Sequence, residues 1–287
     1  MTRSRLLAAA LTAAALLVTA CGSDSSNDQS SAAKSTPSGP QCAKADLQLK
    51  TGGQLTIGTD KPAYPPYFED NDPTNGKGFE SAVAYAIAGQ LGFTKDEVKW
   101  KVVPFNASYK PGPKDFDFDV NQISINDQRK RAVDFSAPYF EAPQAVIAPK
   151  GSSAASAKSL ADLKGAEIGV QIGTTSLDAV STRIQPSKQP KVFDDSNAVV
   201  TALKQGQVDA VVTDLPTALY LSAAEVPNST VVGQFSAPGG DKWGALLEKD
   251  SPLTACVSQA IGKLRSSGAL DRITQKWMGA DTAPELG

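Results

Sequence analysis

From Leu6 to Ala20 apolar residues run almost unbroken, interrupted only by Thr12 and Thr19 and preceded by Arg3 and Arg5. A cationic start followed by such a run has the form of an export signal over residues 1–20. The run is short of the roughly 20 apolar residues that a membrane-spanning helix needs. Gly22 to Gln41 is then built of Ser, Asp, Asn, Gly and Pro with almost no large apolar side chain, so it cannot bury enough surface to order itself. It reads as a flexible tether, with a random-coil span of about 25 Å. Ser31-Ala32-Ala33-Lys34 matches an S-x-x-K pattern, but in such a tether the match is chance.

Past Gln41, apolar periods of 2 and 3.6 alternate. Leu55 and Ile57 mark a strand over Gln54–Thr59 that runs into an aromatic and proline-rich loop, Asp60 to Phe68. Phe79, Val83, Ala86, Ile87 and Leu91 recur at helical spacing with Gly92 as C-terminal cap, and Val98, Trp100 and Val102 form the next strand. Ala145–Ala148 is a short apolar stretch, and Pro149-Lys150-Gly151-Ser152 after it reads as a connection between two lobes. The logic then repeats: a strand over Glu167–Gln171, a helix from Thr175, a helix over Asn197–Lys204, a strand over Val208–Thr213 and a helix over Pro216–Ala223. Ser251-Pro252 supplies an N-cap and first helical residue for a helix with Leu253, Val257, Ile261 and Leu264 on one face, and a last helix passes through Leu270, Ile273 and Trp277. Strands alternating with helices predict an α/β class with parallel pairing. Ligands collect at the carboxyl ends of such strands, so the loops after Thr59, Ile123, Gln171 and Thr213 hold the candidate chemistry.

Composition removes whole classes of function. The chain has no histidine, which excludes Ser-His-Asp and Cys-His nucleophiles and every His-containing zinc site. Loss of Arg3 and Arg5 with the signal leaves 26 Lys and Arg against 30 Asp and Glu, a formal charge of −4. No basic patch offsets it, so nucleic acid is not an expected partner. No metal, cofactor or catalytic residue set is expected.

Four signals remain. Arg129 lies where a strand turns into a helix after Gln122 and Ser124, and a guanidinium there can clamp a carboxylate with two parallel hydrogen bonds; the plain alternative is a surface pair with Asp127 or Asp134. Gly173-Thr174-Thr175-Ser176 links a strand to a helix and can offer N–H groups and hydroxyls to an anion, or simply cap the helix. Asp214 closes an apolar strand and can accept from an ammonium group, or cap the helix that Pro216 begins. Tyr64, Tyr67 and Phe68 can wall a pocket or merely pack. Together these groups complement a zwitterion. Of the two cysteines in the body, Cys256 sits on the apolar face of its helix and reads alone as a buried thiol, but two such residues in an exported chain favour a Cys42–Cys256 disulfide.

The motifs resemble a known family. Gly78-Phe79-Glu80, Ser124 to Arg129 followed by Val133 to Tyr139, Gly169 to Thr175, and Val208 to Asp214 occur in the order found in extracellular solute-binding protein family 3, the polar amino-acid-binding proteins of bacterial ABC importers. Ser251-Pro252-Leu253 through Lys276-Trp277 also fits, and the similarity runs from about Gln54 to Met278. Val18-Thr19-Ala20-Cys21 resembles a bacterial lipobox, which implies lipidation at Cys21 and anchoring to the outer face of the cell membrane. The resemblance implies the periplasmic-binding-protein type II fold, two α/β lobes joined by a two-segment hinge, with lobe 1 over 42–147 and 239–287 and lobe 2 over 148–238. It implies Arg129 as carboxylate clamp with Thr175 and the Thr174 backbone opposite, Asp214 as ammonium acceptor, Gln122, Ser124 and Gln171 lining the same pocket, and Asp60 with Tyr64 and Phe68 reading the side chain. A free polar or charged amino acid and ABC permease subunits are the partners it implies, for a monomeric, non-enzymatic chain.

The chain departs from the pattern at Asn126, where Thr is usual, at Glu80, where Asp is usual, and in Phe105–Lys114, which is richer in Pro and Gly. Two other functions fit the same fold. One is a cyclohexadienyl-dehydratase-like enzyme, for which Lys61, Glu69 and Glu80 are the acid or base candidates. The other is a ligand-sensing module for a membrane receptor.

Overall fold

The computed structural model describes residues 42–279 and 282–287; the expected signal, Cys21 and the tether lie outside the described residues. Two five-stranded sheets carry the architecture. The first has the order β2-β1-β3-β10-β4, from β1 (Leu55–Thr59), β2 (Val98–Val102), β3 (Phe118–Asp119), β4 (Val133–Glu141) and β10 (Lys242–Glu248). The second has the order β7-β6-β8-β5-β9, from β5 (Gln144–Pro149), β6 (Ile168–Gln171), β7 (Lys191–Phe193), β8 (Ala210–Asp214) and β9 (Ser229–Phe235).

Parallel pairing holds for β1 with β2 and β3 and for β6 with β7 and β8, with α1 (Phe79–Gln90) between β1 and β2, α2 (Phe105–Ser108) between β2 and β3, α3 (Asp127–Lys130) between β3 and β4, α4 (Thr175–Ala179) between β6 and β7, and α5 (Ser196–Lys204) between β7 and β8. The sheets are nevertheless mixed: β10 runs antiparallel to β3 and β4, and β5 antiparallel to β8 and β9. The cause is the hinge, because a strand reached by crossing from the other lobe enters its sheet from the opposite end.

In the first lobe, α1 (Phe79–Gln90) buries Phe79, Val83, Ala84, Ile87 and Ala88 against β1 residues Leu55 and Ile57 and against α7 (Thr254–Ser266) and α8 (Ala269–Met278). Phe79, Val83 and Ile87 each contribute about 1.5–3 kcal/mol by leaving water. Gly78 starts α1 at φ +94°, and a Cβ there would strike the Tyr67 carbonyl, so only glycine brings the aromatic loop this close to the helix. The expected N-cap at Ser251 is displaced: α7 begins at Thr254, and Ser251 instead accepts from the Leu253 and Thr254 amides in the preceding turn. Cys42 and Cys256 are joined in a disulfide with Cα atoms 5.3 Å apart.

The second lobe has core on both faces of its sheet. Along β5, Val146 and Ala148 enter one cluster while Ala145 and Ile147 enter the other, which is why that strand is apolar at every position after Gln144. Such a strand carries no mark of where the lobe begins. Pro149–Ser152, expected to connect the lobes, is a turn within the second lobe; the chain crosses at 142–143 and again at 236–241, between the two sheets. The tail also differs from expectation. Ala283 and Leu286 pack into the second lobe, and Gln234 of β9 exchanges backbone hydrogen bonds with Pro284 and Leu286 at 2.8 Å each.

Candidate functional site

The two lobes face each other across a cavity of about 430 Å³. All ten residues expected at a ligand site, Asp60, Tyr64, Phe68, Gln122, Ser124, Arg129, Gln171, Thr174, Thr175 and Asp214, line it. Several hydrogen bonds close the cleft from opposite sides: Tyr67 Oη with Thr217 Oγ1 at 2.8 Å, Asn106 Nδ2 to the Asp194 carbonyl at 3.1 Å, Ser124 Oγ with Thr175 Oγ1 at 3.3 Å, and Tyr64 Oη to Asn197 Oδ1.

Arg129 belongs to α3 (Asp127–Lys130), a single turn capped by Asn126, whose Oδ1 accepts from the Arg129 amide at 2.8 Å. Asn126 thus performs the capping expected of a threonine there. Arg129 is 5% exposed, and its guanidinium donates to the Ser124 carbonyl at 2.7 Å and, across the cleft, to the Gly173 carbonyl at 2.9 Å. The Phe105 and Tyr109 rings stand 5.3 and 4.8 Å from it. Asp127 and Asp134 pair with Lys130 and Lys249 instead, so the surface-pair alternative fails. Burial pushes the guanidinium pKa down, yet an arginine stays charged. With five N–H donors and two bound to carbonyls, it retains donors for an anion in the cleft.

Opposite it stands the turn before α4 (Thr175–Ala179). The Thr174 side chain caps that helix, accepting from the Leu177 amide at 3.2 Å and donating to the Gln171 carbonyl at 2.8 Å, so only its backbone is left for a ligand. Gly173 has φ +72°, and a Cβ there would collide with the Tyr109 hydroxyl. Asp214 precedes α6 (Leu215–Tyr220) and caps nothing; its Oδ1 accepts from Gln144 Nε2 at 2.6 Å. Burial, and then the charge of Asp241, push its pKa well above the carboxylate range.

The remaining predicted residues divide by role. Asp60 has both oxygens engaged by backbone, accepting from Lys61 N at 2.7 Å and Phe105 N at 3.0 Å. Tyr64 stacks obliquely on Tyr220, centroids 6.0 Å apart. Phe68 mainly packs, edge-on to Trp100. Gln122 adopts φ +47° and is held there by Glu80, which accepts from its amide N at 2.7 Å, from its Nε2 and, at 2.5 Å, from Tyr139 Oη. Burial raises the Glu80 pKa to about 7. Glu80 is therefore a support for the pocket floor and does not line the cavity; of the three acid or base candidates, only Lys61 does. Gln171 Oε1 accepts from Ser196 Oγ at 2.6 Å.

Sequence reasoning missed Asn121, whose buried Nδ2 has no partner among the described residues, and Asp194, Asp195, Asn197, Thr217 and Glu225, which also line the cavity. It also missed Gln144 and Asp241 behind Asp214. Among the described residues no cluster of metal-ligating side chains occurs.

A fixed cation and a buried carboxylate in one closed cleft between two α/β lobes define a two-lobed binding protein of the type II periplasmic class. The sequence pattern of the bacterial extracellular solute-binding proteins, family 3, matches residues 55–280, and the chain belongs to that family. It is 30% identical over 237 residues to the L-cystine-binding protein TcyJ of Escherichia coli K12, covering 82% of this chain and 86% of the relative. It is 30% identical over 277 residues to the ABC transporter glutamine-binding protein GlnH of Bacillus subtilis, covering 94% and 95%. Among solved structures, an ancestral arginine-binding protein bound to glutamine superposes with TM-score 0.67 at 34% identity, covering 80% of this chain and 99% of that one. An ancestral amino acid-binding protein described as a precursor of cyclohexadienyl dehydratase gives TM-score 0.63 at 28% identity, covering 78% and 95%.

Proposed function

We propose that the chain is an extracytoplasmic lipoprotein, anchored through Cys21, that captures a free amino acid between its lobes and delivers it as a monomer to an ABC permease, without catalysing a reaction. The observation that carries this reading is the pairing of Arg129 with Asp214 in one cleft that only the closed state completes. The α-carboxylate bridges Arg129 and the Thr175 turn, and the α-ammonium approaches Asp214. Each ligand charge is then buried with paired hydrogen bonds, the condition under which burying charge is tolerated. Ligand binding stabilises the closed arrangement because Arg129 and Asp214 lie on different lobes.

The side-chain end of the cavity supports a polar or cationic ligand. Asp60, Asp194, Asp195 and Glu225 line it against Lys61, an excess of negative charge beyond what the zwitterion itself uses. A thermal-shift screen over the free amino acids tests the reading. A ligand at 1,000 times its Kd adds about 4 kcal/mol, which raises the melting temperature by about 8–16 °C for a body of this size. A flat response to every amino acid, with turnover of prephenate, would replace the binding protein by the dehydratase reading.

A further inference from the structure

The anionic side of the cleft does not end at Asp214. Asp241 lies on the second crossing between lobes, 1% exposed. Its Oδ2 accepts from Gln144 Nε2 at 2.6 Å and from Thr175 Oγ1 at 2.7 Å, and the same Gln144 nitrogen donates to Asp214 Oδ1 at 2.6 Å. One fully buried amide group therefore divides its two hydrogens between two carboxylates, while Asp241 Oδ1 has no hydrogen-bond partner among the described residues. Asp241 does not line the cavity; it is bonded to Thr175 directly and linked to Asp214 through Gln144, and so connects with both halves of the proposed amino-acid site.

Two ionised carboxylates joined through a neutral amide and shielded from water repel each other strongly. The surroundings compensate them poorly. Among the described residues Arg129 of α3 is the one cation acting on both carboxylates, on Asp241 ahead of Asp214, and Glu80 of α1 opposes the charged form of Asp214. Asp178 of α4 acts on Arg129, and Tyr67, in the loop after β1, is held neutral by burial and by Asp214. The side chains hydrogen-bonded to the pair, Gln144 of β5 and Thr175 of α4, carry no charge. A single proton on Asp214 removes the repulsion, and an ammonium group brings the same unit of positive charge.

Resting on the amino-acid reading above, we propose that Asp214, bridged through Gln144 to Asp241, holds a proton while the cleft is empty and that the incoming ammonium group displaces it to solvent. Amino-acid capture is then coupled to release of a proton, and Asp241 is a positioning residue that sets the strength of the ammonium site from outside the pocket. The upward shift of Asp214 under burial and the Asp241 charge accords with a proton held in the empty site.

Two measurements on the full folded body test this. In the ligand-free protein, carboxyl carbon NMR follows Asp214 against pH; Asp241→Asn, which removes one charge and keeps the side-chain shape, lowers its titration midpoint by at least about one pH unit. Asp241→Ser provides the same charge removal should the asparagine fail to fold. Calorimetry with L-arginine, L-glutamine and L-cystine, in buffers of different ionisation enthalpy between pH 5 and 8, reads about one proton released per amino acid bound by the natural chain and almost none by Asp241→Asn. An unchanged Asp214 titration, or equal proton release from both proteins, overturns the proposal. An NMR shift as expected with no amino acid bound would leave the carboxylate pair standing and overturn the amino-acid reading instead.

Discussion

Replacing Arg129 with alanine removes a side chain that is 5% exposed and bonded to the Ser124 carbonyl at 2.7 Å and the Gly173 carbonyl at 2.9 Å. Two losses add in the bound state. A buried carboxylate left without its charged partner costs about 2–5 kcal/mol, and at 1.4 kcal/mol per tenfold the Kd rises by about 30-fold to several thousand-fold. The Gly173 bond spans the cleft, and charge-assisted bonds of this kind contribute about 1.5–3 kcal/mol, so its loss also penalises closure and moves the effect toward the upper end. Arg129→Lys keeps the charge and loses the fork, and falls between the two. The assay is calorimetric titration with the amino acid that gives the largest thermal shift, accompanied by unfolding of the ligand-free proteins to show that the lobes remain intact. A well-folded Arg129→Ala whose Kd lies within threefold of the natural chain would refute the assignment of Arg129 as carboxylate clamp.

Glu80 titrates near 7 in the fold because burial disfavours its charge; the folded state then binds the proton more tightly than the unfolded one, so stability is retained near pH 4.5 and falls as pH rises through 7. The expected loss is roughly 3 kcal/mol, read as the difference between the pH–stability curves of the natural chain and Glu80→Gln; parallel curves would contradict it. Asp119 is fully buried, both its carboxyl oxygens lack partners among the described residues, and burial raises its pKa well above the carboxylate range. Asp119→Asn should therefore gain stability relative to the natural chain as pH rises from 5 to 8, measured by urea unfolding, and a constant difference would argue against a protonated Asp119. The disulfide closes a sequence separation of 214 residues, so reduction should lower stability by about 5 kcal/mol on the chain-entropy account; alkylation without reductant that labels both Cys42 and Cys256 would show the bond absent.

What could be read from the chain followed from spacing. Arg129, Thr175 and Asp214 each stand at a strand end, in motifs whose order is recognisable, and the cleft gathers them. Asp119 was hidden by the same rule, since Asp117 and Asp119 alternate with Phe116 and Phe118 and look like the wet face of a strand. In the fold Asp117 accepts from the Lys50 and Thr56 amides at 2.8 and 2.7 Å, and Asp119 opposes Gly58. The two-residue β3 is too short to show a period. Asp241 follows Pro238-Gly239-Gly240 and looks like an ordinary turn aspartate; its partner Gln144 is 97 residues away. Gln144 did leave a trace, as the one polar residue at the head of an otherwise apolar strand, a placement that requires a buried hydrogen-bond partner.

The tail's return to the second lobe gives the folded body a useful asymmetry. Its first described residue, Cys42, is bonded to α7 in the first lobe, whereas Leu286 is seated in the second, and the Gly287 carbonyl accepts from the Leu160 amide at 3.2 Å. Donor and acceptor fluorophores at the exposed Ala43 and Gly287 would thus ride on opposite lobes, far in chemistry from the cleft. Energy transfer between them would follow the hinge angle directly, without labelling any residue that lines the cleft.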